Sequence, residues 1–245
     1  MSDVDALLSR FRTQLREVAA VEAVWAHGSL AMGDFQPGRS DLDMVALVPT
    51  DLTVGQRVDV RALHEELSRQ VPLGSKLHCS YLGRDRADDL DAKHPTWTQG
   101  ELVDKPLTPV SRRELLSAGR VYEGPAPCDV LRPVTDDELS NFIRTDLRDF
   151  WYPATTKRRL WLRTIWVDLG PITMARATVT LRDGRLITKA EALTVLTDMG
   201  AAPALVDDIR RRRNGESTST GPLWRWRRGE LARRFVQTAI DHTGL

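Results

Sequence analysis

Cysteine is nearly absent from this chain of 245 residues, and so are long apolar runs. The two cysteines, Cys79 and Cys128, lie far apart and form no C-x-x-C motif. This argues against a disulfide framework or a zinc site and favours a reducing, cytoplasmic setting. No apolar run approaches the roughly 20 residues of a membrane-spanning helix. The N-terminus also lacks the basic and then apolar leader of a secreted protein. We therefore expect a cytoplasmic protein with no membrane partner.

Two common catalytic patterns are also missing: the sequence has no Walker-type phosphate loop and no recognisable Ser-His-Asp arrangement. The hydrophobic content of 41% and the mean hydropathy of -0.34 are those of an ordinary globular protein. The length suits one large domain or two small ones. Acidic residues exceed basic residues in positions 1–140, and the reverse holds in positions 141–245. This asymmetry favours two units with different surfaces.

The most informative pattern lies within residues 24–48. A short apolar run ends at Gly28-Ser29, and Asp41-Leu42-Asp43 leads into a second apolar run. The order predicts a strand, a tight turn, a short helix, a loop and a second strand. Because side chains at positions i and i+2 of a strand share a face, Asp41 and Asp43 should project together.

Two carboxylates on one face of a strand repel each other, so their burial is costly unless a cation compensates it. Magnesium is typically held by one or two carboxylates together with substrate phosphates. Gly28 would let a phosphate approach the main chain closely, and the amides after Ser29 would face that anion. Ser40 either contacts a phosphate or caps its loop. The pattern predicts a site for a metal-chelated nucleoside triphosphate, and a turn with a solvated Asp pair is the simpler alternative.

Apolar spacing predicts alternating helices and strands in the first half of the chain. Residues 83–109 are polar and contain prolines, so we expect an irregular segment there, anchored by Trp97. The predicted elements besides the strand–turn–strand are a helix over residues 2–20, a helix over 55–70, a strand over 76–82, a helix over 112–118 and a strand over 120–122.

Three prolines, at positions 125, 127 and 133, mark the predicted boundary between domains 1–132 and 133–245. The second half is expected to be all helical, with capping boxes starting at Thr135 and Thr188. A helix from about residue 157 should kink or end at Gly170-Pro171. Another helix over residues 172–181 should stop at Asp183-Gly184. The predicted fold class is an α/β (α+β) domain with a mixed sheet, followed by an all-helical C-terminal domain.

The spacing of Gly28-Ser29 and Asp41-Leu42-Asp43 resembles the signature of the polymerase-β-like nucleotidyltransferases. The resemblance implies that the first domain is a nucleotidyltransferase domain. It also implies transfer of a nucleoside monophosphate to a hydroxyl group, with Asp41 and Asp43 as catalytic ligands of Mg²⁺ (or Mn²⁺) and ATP as co-substrate. Gly28, Ser29 and Ser40 would position the nucleotide.

The second half carries a narrower resemblance. Met174-Ala175-Arg176, Gly184, Thr188-Lys189 and Glu191 resemble the helical domain of the aminoglycoside (streptomycin/spectinomycin) adenylyltransferases. In that family these elements face the nucleotide, so Arg176 and Lys189 are expected to bind its phosphates. The implied acceptor is a small, hydroxylated, cationic aminoglycoside or aminocyclitol, and the implied role is antibiotic resistance.

Two positions depart from the family pattern. A third carboxylate, which assists deprotonation of the acceptor, is replaced by His78 in the 76–82 segment, and a family Gly-Glu-Trp stretch reads Gly100-Glu101-Leu102. A neutral imidazole at residue 78 could still accept a proton, so His78 is a third catalytic candidate. The departures leave both the activity and the usual acceptor open.

Alternatives therefore remain. The chain is either a transferase of small acceptors, a nucleotidyltransferase-fold protein that modifies a protein or RNA, or a nucleotide-binding protein with little turnover. Arg210 to Arg213 and the Trp224–Arg228 segment could contact nucleic acid, but such helices more often pack one face and solvate the other, so nucleic acid is not the expected partner. Asp168 could meet a cationic amine of the acceptor.

Overall fold

The structure, a computed structural model, describes residues 2–218 and 221–243. The chain divides into two compact units, residues 1–134 and 135–245. The first holds a mixed sheet with helices and the second is helical, so the predicted fold class is confirmed. Within the described residues, no helix has both the length and the apolarity needed to cross a bilayer.

Unit 1 is built on a six-stranded sheet with the order β5-β4-β3-β2-β1-β6. The parallel pair is β2 with β3, and the other neighbours are antiparallel. The strands are β1 (Ala23–Ala26), β2 (Leu42–Val48), β3 (Leu77–Gly83), β4 (Lys93–Thr98), β5 (Glu101–Pro106) and β6 (Arg120–Glu123).

The helices of unit 1 cover the two faces of this sheet and are α1 (Asp3–Val18), α2 (Gly28–Ala31), α3 (Val54–Gln70) and α4 (Pro109–Ala118). Capping boxes at Ser2 and Thr53 satisfy the first amides of α1 and α3. Alternate residues of β2 point to opposite faces, so Met44 joins the core under α1 and α3, whereas Val45 joins the core that includes Leu115 of α4. This alternation also decides which face of the sheet carries Asp43.

The prediction of an irregular segment over residues 83–109 is wrong, because this segment contains the β4–β5 hairpin. Gln99 and Gly100 form its turn with φ values of 51° and 83°. Two positive φ values are characteristic of a type I′ turn, for which Asn-Gly or Asp-Gly is the usual signal. Strand β3 pairs with β4 at two positions, Cys79 with Trp97 and Ser80 with Thr96. Pro95 lies outside these pairs, so its missing amide hydrogen removes no hydrogen bond between β3 and β4.

Trp97 does anchor the hairpin. It is 3% exposed, and its ring stacks on that of His64 in α3, with centroids 5.0 Å apart and planes 11° apart. Burial of this aromatic cluster lowers the pKa of His64 to about 3, with the charge of His78 as a smaller cause. His64 is therefore neutral at physiological pH, and its Nε2 lies 2.7 Å from the Tyr81 hydroxyl.

Unit 2 consists of helices, and its first capping box joins Thr135 to Glu138, as predicted. A π-helical turn, Leu147–Trp151, follows the first helix. The helices are α5 (Asp136–Asp146), α6 (Tyr152–Thr156), α7 (Thr164–Asp183), α8 (Lys189–Asp198), α9 (Pro203–Asn214) and α10 (Pro222–Asp241).

The helix predicted from about residue 157 begins instead at Thr164, as α7, and the prediction that it ends at Gly170-Pro171 is wrong, since α7 runs through both residues. A proline inside a helix costs roughly 3 kcal/mol. Here Gly170 and Pro171 are buried, and a Cβ on Gly170 would lie 2.9 Å from the Trp161 ring and 3.1 Å from Val236 of α10. This close packing stabilises the helix across the proline. The helix ends at Gly184, which has φ +67°, as the sequence predicted.

Candidate active site

The two carboxylates lie at the start of β2. Asp43 is on the strand, whereas Asp41 immediately precedes it, so the prediction that both lie on the strand is only partly correct. Leu42 and Met44 are buried in the core under α1 and α3, which turns Asp43 to the opposite face. The side chains of Asp41 and Asp43 are 42% and 34% exposed, so both remain accessible to a ligand.

Each carboxylate has a basic partner at the start of β3: His78 lies on the strand, and Lys76 immediately precedes it. The parallel register places His78 opposite Asp43, and their nearest atoms, His78 Nδ1 and Asp43 Oδ1, are 3.6 Å apart. Lys76 Nζ lies 3.3 Å from Asp41 Oδ1. The proximity of His78 to the carboxylates, expected from the sequence, is thus observed. A catalytic role for His78 stays a prediction.

The Gly28-Ser29 turn lies directly against Asp43. The His27 amide donates to the Asp43 carbonyl at 2.9 Å, which joins the turn to β2. Gly28 has φ +61°, and a Cβ there would lie 2.7 Å from Asp43 Oδ2. Only glycine combines this conformation with this close approach. The structure therefore brings the Gly28-Ser29 turn to Asp43, as the sequence suggested.

Two serines of this region differ in their hydrogen bonding. Ser29 Oγ is buried and has no hydrogen-bond partner among the described residues. A buried polar atom without a partner is unusual and consistent with a ligand that completes its bonding. The Ser40 hydroxyl instead accepts the Gln36 amide at 3.0 Å within its own loop. This contact agrees with the loop-capping alternative for Ser40, and a phosphate contact stays a prediction.

The donor set fits a magnesium ion that shares its ligands with a nucleotide. No group of three or more His, Cys, Asp and Glu side chains suited to a metal occurs in residues 2–218 and 221–243. Magnesium needs no such cage, because it retains waters and takes one or two carboxylates plus phosphate oxygens. Asp41 and Asp43 are two such carboxylates, and the orphaned Ser29 hydroxyl lies in the adjoining turn.

Sequence reasoning missed one residue of this region, Glu114 of α4. Its Oε2 lies 3.2 Å from Nδ1 of His27, the residue that precedes Gly28. The side chains of His27 and Glu114 are only 13% and 8% exposed, so the pair is held away from solvent. The two residues are 87 positions apart, and no local pattern signals their contact.

Known proteins resemble the chain in this region and in its fold. Residues 8–99 match the family model of the nucleotidyltransferase domain. The matched segment begins in α1 and ends in the β4–β5 turn, so it contains Gly28, Ser29, Asp41, Asp43 and His78.

The whole chain is similar in structure to spectinomycin adenyltransferase AAD(9) from Enterococcus faecialis, a crystal structure with ATP and spectinomycin. The TM-score is 0.70 and the identity 12%, over 96% of this chain and 98% of that chain. No curated protein sequence matches significantly. The predicted resemblance to polymerase-β-like nucleotidyltransferases, and to the aminoglycoside adenylyltransferases among them, is confirmed for the fold.

Outside the nucleotidyltransferase domain, unit 2 brings Arg176 close to the start of α8. Arg176 is half-buried on α7, and its Nε donates to the Ile187 carbonyl at 2.9 Å. Ile187 is two residues before Lys189, the first residue of α8, whose predicted capping box joins Thr188 to Glu191. Phosphate binding by Arg176 and Lys189 stays a prediction.

The arginine-rich helices of unit 2 are engaged in an internal ion-pair network. Arg212 Nε donates to Asp168 at 2.9 Å, and Trp224 Nε1 donates to Asp208 at 3.1 Å. Arg228 is buried and contacts Asp208 at 3.4 Å. Burial raises the pKa of Asp168, and the Arg212 contacts oppose that shift. Asp168 thus has a protein partner, and Arg212, Arg228 and Trp224 are engaged in contacts within unit 2.

Proposed function

We propose that this protein transfers a nucleoside monophosphate, AMP from Mg-ATP, to a hydroxyl of an aminoglycoside-like or aminocyclitol-like acceptor. The observation that carries the proposal is the close approach of Gly28 to Asp43. This approach leaves no room for a side chain at residue 28. The next residue, Ser29, has a buried hydroxyl oxygen with no hydrogen-bond partner among the described residues. A glycine without room for a side chain and a buried hydroxyl without a partner are both expected where the main chain contacts a phosphate bound beside a cation.

In this proposal Asp41 and Asp43 hold Mg²⁺ (or Mn²⁺). When bound, the metal neutralises phosphate charge and stabilises the attacking and leaving oxygens of an in-line displacement. Gly28 keeps the turn against Asp43, Ser29 donates its hydroxyl to a phosphate oxygen, and Ser40 fixes the loop before Asp41. The acceptor hydroxyl oxygen bonds to the α-phosphorus, the bond from the α-phosphorus to the bridging oxygen breaks, pyrophosphate leaves with that oxygen, and the hydroxyl proton passes to solvent water.

Arg176 and Lys189 of the helical unit remain candidates for phosphate binding, as the resemblance to the adenylyltransferases implies. The Ile187 carbonyl orientates the Arg176 side chain. Lys189 is the first residue of α8, where its positive charge interacts unfavourably with the positive end of the helix dipole. A bound anion would offset this unfavourable interaction. A triphosphate would supply that anion. Support for ATP and for an aminocyclitol acceptor also comes from the similar fold of AAD(9), which was crystallised with ATP and spectinomycin.

A thermal-shift titration tests the nucleotide site. We expect Mg-ATP to raise the Tm of the wild type and Asp43→Asn to abolish most of that shift, because ligand binding to the native state stabilises it. Asp59→Asn is a matched control, since Asp59 is an exposed carboxylate on α3. Equal shifts in wild type and Asp43→Asn at saturating metal would contradict the assignment. Pyrophosphate release over a panel of acceptors then tests the reaction.

One observation favours a second candidate, a nucleotide-binding protein with little turnover. His78 occupies the position where the resembling family has a carboxylate, and Lys76 pairs with Asp41, so the site carries fewer negative charges than a three-carboxylate site. Mg-ATP binding without pyrophosphate release across all acceptors would support this candidate. Release with any one acceptor at a rate above the Asp43→Asn background would exclude it.

A further inference from the structure

The role of His78 can be argued from what each of its ring nitrogens faces. Nδ1 faces Asp43 Oδ1 at 3.6 Å, and Nε2 accepts the main-chain amide of Gln99 at 3.5 Å. The His78 side chain is 17% exposed, so β3 and the hairpin turn largely enclose it. Both nitrogens therefore have protein partners, one an anion and the other a donor.

These partners decide which nitrogen carries hydrogen. An amide donor requires a lone pair on Nε2, so the neutral ring carries its hydrogen on Nδ1. That hydrogen points to the Asp43 carboxylate, whereas a lone pair on Nδ1 would be repelled by it. At 3.6 Å the contact is electrostatic rather than a full hydrogen bond. In this arrangement neither nitrogen presents a lone pair to an acceptor hydroxyl.

The β4–β5 turn supplies the partner that holds the ring. Gln99 has φ 51°, an uncommon conformation for a residue with a Cβ, and its amide is directed at His78 rather than into the strand ladder. The strands pair up to Thr98 and Glu101, so Gln99 is a turn residue free of ladder bonds. The hairpin thereby links its own turn to the carboxylate on β2 through His78.

We propose that His78 is a positioning residue that orientates Asp43 for the metal and does not accept the proton of the acceptor hydroxyl. The inference rests on the proposed function, since it gives His78 a role toward the metal ligand of that site. Partners of metal ligands typically change metal affinity 10–100-fold when they are removed. His78 would act in this way on Asp43, with the Gln99 amide as its own support.

Two substitutions separate positioning from proton transfer. His78→Asn keeps a nitrogen donor close to the place of Nδ1 but cannot accept a proton at working pH, whereas His78→Ala removes both capacities. His78→Gln is the matched control, because its amide lies one methylene farther along the side chain, toward the place of Nε2. Circular dichroism melting establishes that each variant is folded.

The first readout is the dissociation constant of Mn²⁺ alone, measured by paramagnetic resonance without nucleotide. We expect His78→Ala and His78→Gln to weaken Mn²⁺ binding about 10–100-fold, and His78→Asn to remain within about threefold of the wild type. Unchanged Mn²⁺ binding in His78→Ala would overturn the proposal. A wild type that binds Mn²⁺ neither alone nor together with ATP would instead refute the proposed function, and the inference would fall with it.

The second readout is pyrophosphate release at saturating Mn²⁺. With metal saturated, positioning predicts that His78→Asn is close to the wild type in rate and that His78→Ala is slower. If His78→Asn binds Mn²⁺ normally but is as slow as His78→Ala, the imidazole is the proton acceptor and the proposal is wrong. The comparison of His78→Asn with His78→Ala thus tests the role of His78, whereas metal binding by the wild type tests the proposed function.

Discussion

Substitution of Gly28 by alanine perturbs the point where the turn meets Asp43. Gly28 has φ +61°, and a left-handed conformation costs a residue with a Cβ roughly 1–2 kcal/mol. The new Cβ would also lie 2.7 Å from Asp43 Oδ2, closer than such atoms approach in proteins. Either the turn or the carboxylate must move. We expect a moderate loss of stability and a large loss of ligand binding.

Gly33→Ala is the matched control for this change. Gly33 also has a positive φ, +74°, but nothing lies within 4 Å of the Cβ that alanine would add. Both variants should therefore lose roughly 1–2 kcal/mol of unfolding free energy in urea. Only Gly28→Ala should also weaken Mg-ATP binding, by about tenfold or more, because it displaces Asp43, the proposed metal ligand.

Urea unfolding measures the first effect, and isothermal titration with Mg-ATP at a single salt concentration measures the second. If Gly28→Ala binds Mg-ATP as tightly as Gly33→Ala does, the turn does not act through Asp43, and the reasoning from the close approach is refuted. If both variants lose binding equally, the cause is backbone strain in residues 28–33 rather than the contact with the carboxylate.

Three further outcomes are expected. Lys189→Ala should weaken ATP binding about tenfold or more without changing the ligand-free Tm, because a charge-assisted phosphate contact contributes roughly 1.5–3 kcal/mol; an unaltered dissociation constant would make it a surface residue. Glu114→Ala should weaken Mg-ATP binding more than Glu114→Gln, which can still contact His27; calorimetry showing equal affinities would contradict this. Burial lowers the pKa of His64 from 6.5 to about 3 in the folded state. As the pH falls from 6.5 toward 3, His64 is therefore protonated in the unfolded state but not in the folded state. The free energy of unfolding should decrease over this range by up to about 1.4 kcal/mol per pH unit. In urea unfolding at several pH values, His64→Leu should lose this slope and His242→Ala should keep it, and an unchanged slope in His64→Leu would refute the assignment.

The sequence by itself determined the features that depend on neighbouring residues. Capping boxes at Thr135 and Thr188 start their helices where predicted, because the cap and its partner are three residues apart. Gly184 ends α7 through its own positive φ. The spacing of Gly28-Ser29 and the Asp pair likewise predicted the strand–turn–strand that the structure contains.

Local reasoning failed where packing overrides propensity. The helix α7 continues through Pro171 because Gly170 fits closely against Trp161 and Val236, which are distant in sequence. The β4–β5 hairpin was missed because Gln99-Gly100 is not a usual turn signal and Pro95 suggested a break. In both places buried contacts stabilise a conformation that the local residues do not favour.

Only the tertiary structure decided what surrounds the predicted carboxylates. The parallel register of β2 and β3 pairs Asp43 with His78, and the hairpin turn fixes the His78 ring through the Gln99 amide. Glu114 reaches His27 from a helix 87 residues away. Such contacts depend on strand register and helix packing, which arise from the burial of whole faces and not from the spacing of neighbours. The sequence was therefore sufficient to identify the two carboxylates, whereas the residues that contact them could be identified only from the tertiary structure.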